Sequence, residues 1–135
     1  MPVTLIHPAD LPVSPLYHQV AVASGARTVY VAGQVAVDAA GEKVGVGDLA
    51  AQVEQAFVNA GTALAAAGAT FEDAVRLTVY VAGWTPDQIP LFVEGVGRAS
   101  ARLGVTPAAP TSLIGVQILF DPDFLVEVEV TAVLD

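Results

Sequence analysis

Residues 126–131 alternate strictly between valine and polar side chains, and this pattern constrains the fold more than any other part of the chain. A period of two residues places successive side chains on opposite faces of a β-strand. The valines therefore share one face, and Glu127 and Glu129 share the other. Two carboxylates on one face form either a solvated surface or the floor of a site, and the pattern alone leaves both interpretations open.

The segment just before this strand favours a hairpin at the end of the chain. Residues 109–119 predict one strand, residues 125–133 predict the next, and Asp121-Pro122-Asp123 predicts an acidic turn between them. We expect the two strands to pair with each other across that turn. This closing hairpin is predicted to organise the sheet.

The first third of the chain predicts an extended arm followed by a second hairpin. Residues 1–16 contain four prolines, at spacings that exclude a helix or a central strand. Val20 and Val22 then indicate one strand, and residues 29–37 indicate another. The intervening Ser24-Gly25-Ala26-Arg27 is typical of a turn that joins two paired strands.

Two amphipathic helices and a central strand are predicted for the middle of the chain. The first helix begins after Asp48, whose carboxylate can accept a hydrogen bond from a free amide of the first turn, and it ends at Gly68. Residues 74–81 are rich in β-branched side chains and predict a strand. The second helix runs roughly over residues 87–103, with Gly104 as its stop.

The resulting order, β-β-α-β-α-β-β, predicts one α+β domain over residues 1–135, with two helices on one face of a mostly antiparallel sheet. The chain is 54% hydrophobic and only 14% charged, whereas about 25% charged is ordinary for a soluble domain. So few charges leave apolar surface uncovered in a monomer. We therefore expect the other face of the sheet to be covered by copies of the same chain.

Composition also disfavours several classes of function. The chain has no cysteine and two histidines, His7 and His18, so no metal site is expected. A net charge of −9 with five scattered cations disfavours nucleic acid as a partner. Two uncharged stretches, residues 55–71 and 103–120, contain polar or helix-breaking residues, so no membrane span is predicted. The N-terminal residues lack a basic region followed by an apolar run, and a cytoplasmic location is expected.

Four local patterns follow one another in a fixed order between about residues 14 and 133. They are Pro15-Leu16-Tyr17-His18-Gln19, Val29-Tyr30-Val31-Ala32-Gly33-Gln34, the predicted helix of residues 52–68 with the strand after it, and Leu125-Val126-Glu127-Val128-Glu129-Val130-Thr131-Ala132-Val133. Together they resemble the Rid family of imine- and enamine-handling proteins. This family is also called YjgF/YER057c/UK114 and was formerly labelled endoribonuclease L-PSP.

The resemblance implies a chorismate-mutase-like (YjgF-like) fold assembled as a homotrimer, with three clefts between adjacent subunits. It also implies that the cleft binds a small molecule and, in the best-known members, hydrolyses 2-imino acids to 2-keto acids and ammonia. No metal or cofactor takes part in that reaction.

The resemblance further assigns roles to individual residues. Glu127 matches the glutamate that orients or activates the attacking water, Tyr17 matches a tyrosine that borders the cleft, and the amide of Leu113 matches one that helps to hold the substrate carboxylate. Thr111, which precedes Ser112, stands where the family has an arginine that grips this carboxylate with two hydrogen bonds. Loss of that charge is expected to weaken anion binding by about 1.5–3 kcal/mol.

The leading hypothesis is therefore a Rid-family protein of a subgroup without the carboxylate-binding arginine. Its inter-subunit cleft, lined by Tyr17, Thr111, Ser112, Leu113 and Glu127, would act on or bind a small imine- or enamine-type metabolite. The alternative is a trimer that binds a small ligand or a protein partner without catalysis. If the protein is an enzyme, we expect a hydrolase of the imine/enamine deaminase type rather than a ribonuclease. The substrate, a cation from a neighbouring subunit and the role of His18 remain open.

Overall fold

The computed structural model describes residues 2–135, which form six β-strands and two α-helices. In chain order the elements are β1 (Val3–Ile6), β2 (Val20–Ala23), β3 (Arg27–Gln34), α1 (Leu49–Ala66), β4 (Ala74–Ala82), α2 (Ile89–Leu103), β5 (Thr111–Val116) and β6 (Val126–Leu134). Short 3-10 turns at Phe71–Asp73 and Pro86–Gln88 lead into β4 and α2. Strand β1 lies within the segment that was expected to be an extended arm.

The strands form two sheets. β1 and β2 pair as an antiparallel ribbon, whereas the other four form a sheet in the order β3-β6-β4-β5. Within the larger sheet, β6 runs antiparallel to both β3 and β4, and β5 runs parallel to β4. The predicted α+β class, with two helices against a mostly antiparallel sheet, is confirmed.

Both predicted hairpins are wrong in their pairing. β2 pairs with β1, and β3 pairs with β6, which is the last strand of the chain. Residues 117–125 carry the chain from β5 past β4, so β4 lies between the two strands that were expected to pair. A period of two residues identifies a strand and its faces, but it contains no information about which strand lies beside it.

The helices begin and end where the local sequence predicts. The Asp48 carboxylate accepts a hydrogen bond from the Ala51 amide at 3.0 Å, which caps the start of α1. Gly68 and Gly104 follow the two helices with φ angles of 79° and 72°, a left-handed conformation that glycine adopts without strain. The predicted 87–103 helix begins two residues later as an α-helix, because the 3-10 turn occupies its first positions.

The hydrophobic core lies between the two helices and one face of the larger sheet. Val126, Val128 and Val130 of β6 are buried there, together with Val53 and Leu64 of α1. The helices pack closely because Gly95 of α2 faces Val53, and a Cβ at residue 95 would lie 2.5 Å from the Val53 Cβ. We call this side of the sheet the helix-covered face. Among residues 2–135, neither helix is long and apolar enough to cross a membrane.

The other side of the larger sheet, which we call the open face, has no helix over it. It carries mainly polar side chains: Thr28, Tyr30, Arg76, Thr78, Tyr80, Ser112, Glu127, Glu129 and Thr131. Tyr30, on the edge strand β3, is 80% exposed. Four of the five predicted site residues lie on β5 and β6 and are distributed over these two faces, whereas Tyr17 lies in the segment before β2.

Candidate functional site

Thr111 and Leu113 lie on the helix-covered face. In the parallel pairing of β4 with β5, Thr111 is the partner of Leu77 and Leu113 is the partner of Val79. Both β4 residues are buried beneath the helices, at 2% and 0% exposure. Because paired residues of neighbouring strands share a face, the side chains of Thr111 and Leu113 are directed towards α2.

These two residues, together with Tyr17, line a pocket of about 160 Å³ that we call the apolar pocket. It lies between α2, β5 and the segment before β2. Phe57 and Phe92 form part of its wall, and no charged side chain of the described chain lines it. The structure therefore brings together three of the five predicted site residues in a predominantly apolar environment.

The hydroxyl group of Thr111 is already engaged. It donates a hydrogen bond to the Ala109 carbonyl oxygen at 2.8 Å, so its single proton is not available to a ligand. The Tyr17 phenol, in contrast, makes no hydrogen bond to any side chain or backbone group of residues 2–135. Tyr17 is thus the polar group at this pocket with a free donor.

Ser112 and Glu127 lie on the open face. Ser112 is the β5 partner of Thr78, and Glu127 is the β6 partner of Tyr80. The Ser112 hydroxyl accepts a hydrogen bond from Arg76 Nη2 at 2.6 Å. Neither Ser112 nor Glu127 lines the apolar pocket, so one chain does not bring all five predicted residues together.

Glu127 is held against a glycine of the neighbouring strand. A Cβ atom at Gly33 would lie 2.6 Å from Glu127 Cδ and 2.8 Å from its Cγ, which leaves no room for any larger residue. Within the described part of the chain, the Glu127 carboxylate forms no hydrogen bond and no ion pair. Gly33 is a further candidate site residue, which was not predicted from the sequence. A glycine inside a strand-like run, here at a register shift between Val31 and Gln34, is the signal that identifies such a position.

The neighbouring carboxylate, Glu129, has a different role. Its Oε1 accepts a hydrogen bond from the Tyr80 hydroxyl at 2.6 Å. This hydrogen bond, reinforced by burial and by the negative charges of Glu129 and Glu127, raises the pKa of Tyr80 above its ordinary value. The two glutamates that alternation left equivalent are therefore distinguished, because Glu129 is paired and Glu127 is available.

A guanidinium group also lies next to the position where the family has its arginine. Arg76 reaches Ser112 from the adjacent strand, although 36 residues separate the two in sequence. This contact could not be predicted from the sequence because it depends on the parallel pairing of β4 with β5. Arg76 extends over the open face, however, whereas Thr111 faces the helices, so within one chain Arg76 does not replace the cation at the apolar pocket.

His18 holds the segment that carries Tyr17. Its amide donates a hydrogen bond to the Ala108 carbonyl oxygen at 2.9 Å, and its Nδ1 lies 3.0 Å from the same oxygen. The ring also stacks on His7, with 3.9 Å between the centroids. These contacts fix the position of the segment that carries Tyr17.

Among residues 2–135, no three His, Asp or Glu side chains converge to form a metal site.

Comparison with known proteins places this geometry in context. A family model described as Endoribonuclease L-PSP matches residues 10–134. The chain is similar to a crystal structure of the Rid-family protein YyfB from Yersinia pestis, with 38% identity, 99% of this chain and 100% of that chain covered, and a TM-score of 0.87. The corresponding values for the YjgF gene product of E. coli are 25%, 98%, 99% and 0.68. The predicted YjgF-like fold is confirmed.

A match to one curated protein is more limited in extent. The chain is 39% identical over 56 residues to 2-iminobutanoate/2-iminopropanoate deaminase from Bos taurus. That match covers 42% of this chain and 41% of the bovine protein. It therefore spans about two-fifths of the curated relative.

Proposed function

Because this chain belongs to the Rid/YjgF family, whose family model is described as Endoribonuclease L-PSP, we propose that it hydrolyses a small imine- or enamine-type metabolite in a cleft between two copies of itself. The name of the bovine relative, an imine deaminase, supports this class of reaction. The homotrimer that the family resemblance implies would supply the second copy.

The observation that carries the proposal is the division of the predicted site residues between two faces. Tyr17, Thr111 and Leu113 meet at the apolar pocket, whereas Glu127 lies on the open face of the same sheet. Side chains on opposite faces of a sheet point away from each other, so a small substrate cannot contact both groups in one chain. A neighbouring copy that presents Glu127 and Gly33 at the edge of strand β5 would complete the site.

Glu127 is the candidate catalytic residue. Its unpaired carboxylate can accept a proton from a water molecule as the oxygen of that water forms a bond to the imine carbon. That proton then passes to the imine nitrogen, which gives a carbinolamine; transfer of the hydroxyl proton to the amino nitrogen follows, the carbon–nitrogen bond breaks, and ammonia leaves as the carbonyl forms. One imine and one water thereby give one carbonyl compound and one ammonia, with no change in oxidation state.

The first experiment compares matched variants of the two neighbouring glutamates. Purified protein is mixed with freshly generated 2-iminopropanoate, and its conversion to pyruvate is followed. We expect Glu127→Gln to lower the rate by about 10²–10⁴-fold, the usual contribution of a general base. Glu129→Gln retains Glu127 and is expected to change the rate much less.

The same experiment can contradict the proposal in two ways. Equal losses in the two variants would show that the open face acts only through its overall charge. Full activity in Glu127→Gln would remove the assigned base. Light scattering on the same samples tests the trimer, since a monomer at the assay concentration would exclude a site shared between copies.

A second candidate, a trimer that binds a small ligand without catalysis, is favoured by the pocket itself. No charged side chain of the described residues lines it, and the Thr111 hydroxyl already donates its hydrogen bond to the Ala109 carbonyl oxygen. A thermal-shift screen against small metabolites would then detect stabilisation by compounds that the protein does not convert. Turnover of any stabilising imine would favour the enzyme instead.

A further inference from the structure

We propose that the apolar pocket receives the side chain of the substrate, and that this side chain is a branched aliphatic or phenyl-sized group rather than a methyl or ethyl group. The identity of the reacting group rests on the proposed function above. The size and chemistry of the side chain are inferred from the volume of the pocket and from the residues that line it.

The volume of the pocket sets the size of this side chain. The space measures about 160 Å³, and an apolar protein cavity of about 150 Å³ accommodates a benzene molecule. A methyl group would leave most of the space empty and would leave the lining atoms without contact partners. An isobutyl or benzyl group fills it.

The residues that line the pocket determine which chemical groups of a ligand can enter it. Phe57 and Phe92 meet edge to face, with 6.3 Å between the ring centroids and 68° between the ring planes, and Leu77, Val96 and Pro107 extend the apolar wall. A carboxylate or an amine buried here would lose its hydration without gaining an oppositely charged partner, because no charged side chain of the described residues lines the pocket. Only the apolar part of a substrate therefore enters, and an aromatic ring can add edge contacts to the phenylalanine pair.

The mouth of the pocket provides an entry route and sets the orientation of the ligand. Leu16 and Ile89 line the pocket and remain 37% and 41% exposed, so the pocket opens to the surface. Tyr17 and Thr111 also line it. With the side chain inside, the carbon that carries the imine lies towards β5, the edge strand of the sheet. In the proposed cleft, the Glu127 of a neighbouring copy approaches this edge.

The expected consequence is selectivity by side-chain length. Each methylene group that moves from water into an apolar site strengthens binding about fourfold. Four side chains test the trend: methyl, ethyl, isobutyl and benzyl. Isobutyl has three more carbons than methyl, so its binding should be stronger by roughly sixtyfold.

The experiment has a binding arm and a turnover arm. Calorimetry measures the binding of 2-keto acid amides with these four side chains, which are stable and carry no carboxylate. The turnover arm uses the corresponding 2-imino acids, generated from amino acids by an oxidase. Affinity and kcat/KM are both expected to rise from methyl to isobutyl or benzyl.

Two variants of Val96 change the size of the pocket in opposite directions. Val96→Phe fills the pocket and should reduce the affinity for the benzyl compound to the level of the methyl compound. Val96→Ala enlarges it and should shift the optimum to a longer side chain. Val93→Phe is the matched control, because Val93 lies on the same helix, is 42% exposed and does not line the pocket.

The two arms separate this inference from the proposed function. Length-dependent binding without turnover supports the side-chain pocket and contradicts the hydrolase. Turnover that depends neither on side-chain length nor on either Val96 variant supports the hydrolase and overturns the pocket. A flat binding series, with Val93→Phe and Val96→Phe behaving alike, also overturns it.

Discussion

The two faces of the four-stranded sheet use the same strands for different purposes. On the helix-covered face, Leu77, Val79 and Val128 are at most 2% exposed and form the floor of the core. On the open face, the intervening residues form polar contacts, such as the hydrogen bond between Tyr80 and Glu129. A strand of this kind supplies stability with every second residue and chemistry with the others.

This division separates the candidate site residues within one chain. Strand β5 presents Thr111 and Leu113 to the apolar pocket, and strand β6 presents Glu127 to the open face. Side chains on opposite faces of a pleated sheet point away from each other, so these groups lie apart within one chain. Each of the following predictions tests one face against the other, in order of decreasing effect.

The largest effect, a change in the free energy of unfolding, is expected from substitutions at two adjacent residues of β4 that lie on opposite faces. Leu77→Ala should lower the free energy of unfolding by about 2–5 kcal/mol, because it leaves a cavity in a packed core. Thr78→Ala on the open face should cost less than about 1 kcal/mol. Urea unfolding, monitored at several protein concentrations, measures both. A large, concentration-dependent loss for Thr78→Ala would show that a second copy packs on the open face as tightly as the helices pack on the other.

The next effect concerns the glycine that makes room for Glu127. Gly33→Ala places a methyl group where the Glu127 side chain lies, so the carboxylate must move, and imine hydrolysis should fall by roughly a hundredfold. Steady-state rates on 2-iminopropanoate measure this loss.

Gly97→Ala is the control for Gly33→Ala. A Cβ at residue 97 of α2 would meet no atom within 4 Å. The substitution should leave the rate unchanged and should raise the free energy of unfolding by about 0.5–1 kcal/mol, since alanine favours a helix. Unchanged activity in Gly33→Ala would show that the observed position of Glu127 does not matter for turnover.

A third prediction introduces a cation on each face of β5. Thr111→Arg, at the apolar pocket, should strengthen the binding of 2-keto acids such as pyruvate by about ten- to a hundredfold, the contribution of a charge-assisted hydrogen bond. Ser112→Arg points to the open face beside Arg76 and should give no such gain. Calorimetric titration with pyruvate compares the two variants. An equal gain in both would mean that net charge, rather than the face, determines anion binding.

The sequence correctly predicted which side chains share a strand face, but it did not predict which strands lie beside each other in the sheet. The alternating valines correctly identified which side of β6 is buried, and Asp48, Gly68 and Gly104 correctly marked helix ends, because these signals depend on residues close together in the chain. The partners of β2, β3 and β5 depend on contacts between distant segments. For these contacts the sequence contains compatible strands but no unique pairing.

The candidate site shows the same limit. Glu127 and Glu129 stand in identical sequence patterns, and the difference between them arises from Tyr80, which is 49 residues away from Glu129 in the chain. Likewise, the contact between Arg76 and Ser112 follows from the register of β4 with β5. The residue types and the strand face of the two glutamates were therefore predictable, whereas their hydrogen-bond partners required the structure.

The smallest expected effect concerns the loop that joins the two functional strands. Residues 117–125 connect β5, which carries the pocket residues, to β6, which carries Glu127. Lys43 Nζ holds this loop through Asp121 and Asp123, at 3.1 and 2.8 Å. Hydrogen bonds from the Asp123 amide and from Lys43 lower the pKa of Asp121 below its ordinary value of 3.8. Hydrogen bonds to the two aspartates raise the pKa of Lys43 above 10.5.

These two directions define where the ionic contact stabilises the fold. For Asp121 the stabilisation is present above its ordinary pKa and is lost as the pH falls through the lowered value. For Lys43 it is present below the ordinary pKa and is lost as the pH rises through the raised value. Lys43→Met should therefore lower the melting temperature slightly at neutral pH, and the difference from the parent protein should vanish in strong acid. Lys43→Arg keeps the charge and should behave like the parent. A difference between Lys43→Met and the parent that persists in acid would instead assign the effect to packing of the Lys43 side chain near the Phe124 ring, whose centroid lies 5.8 Å from Nζ.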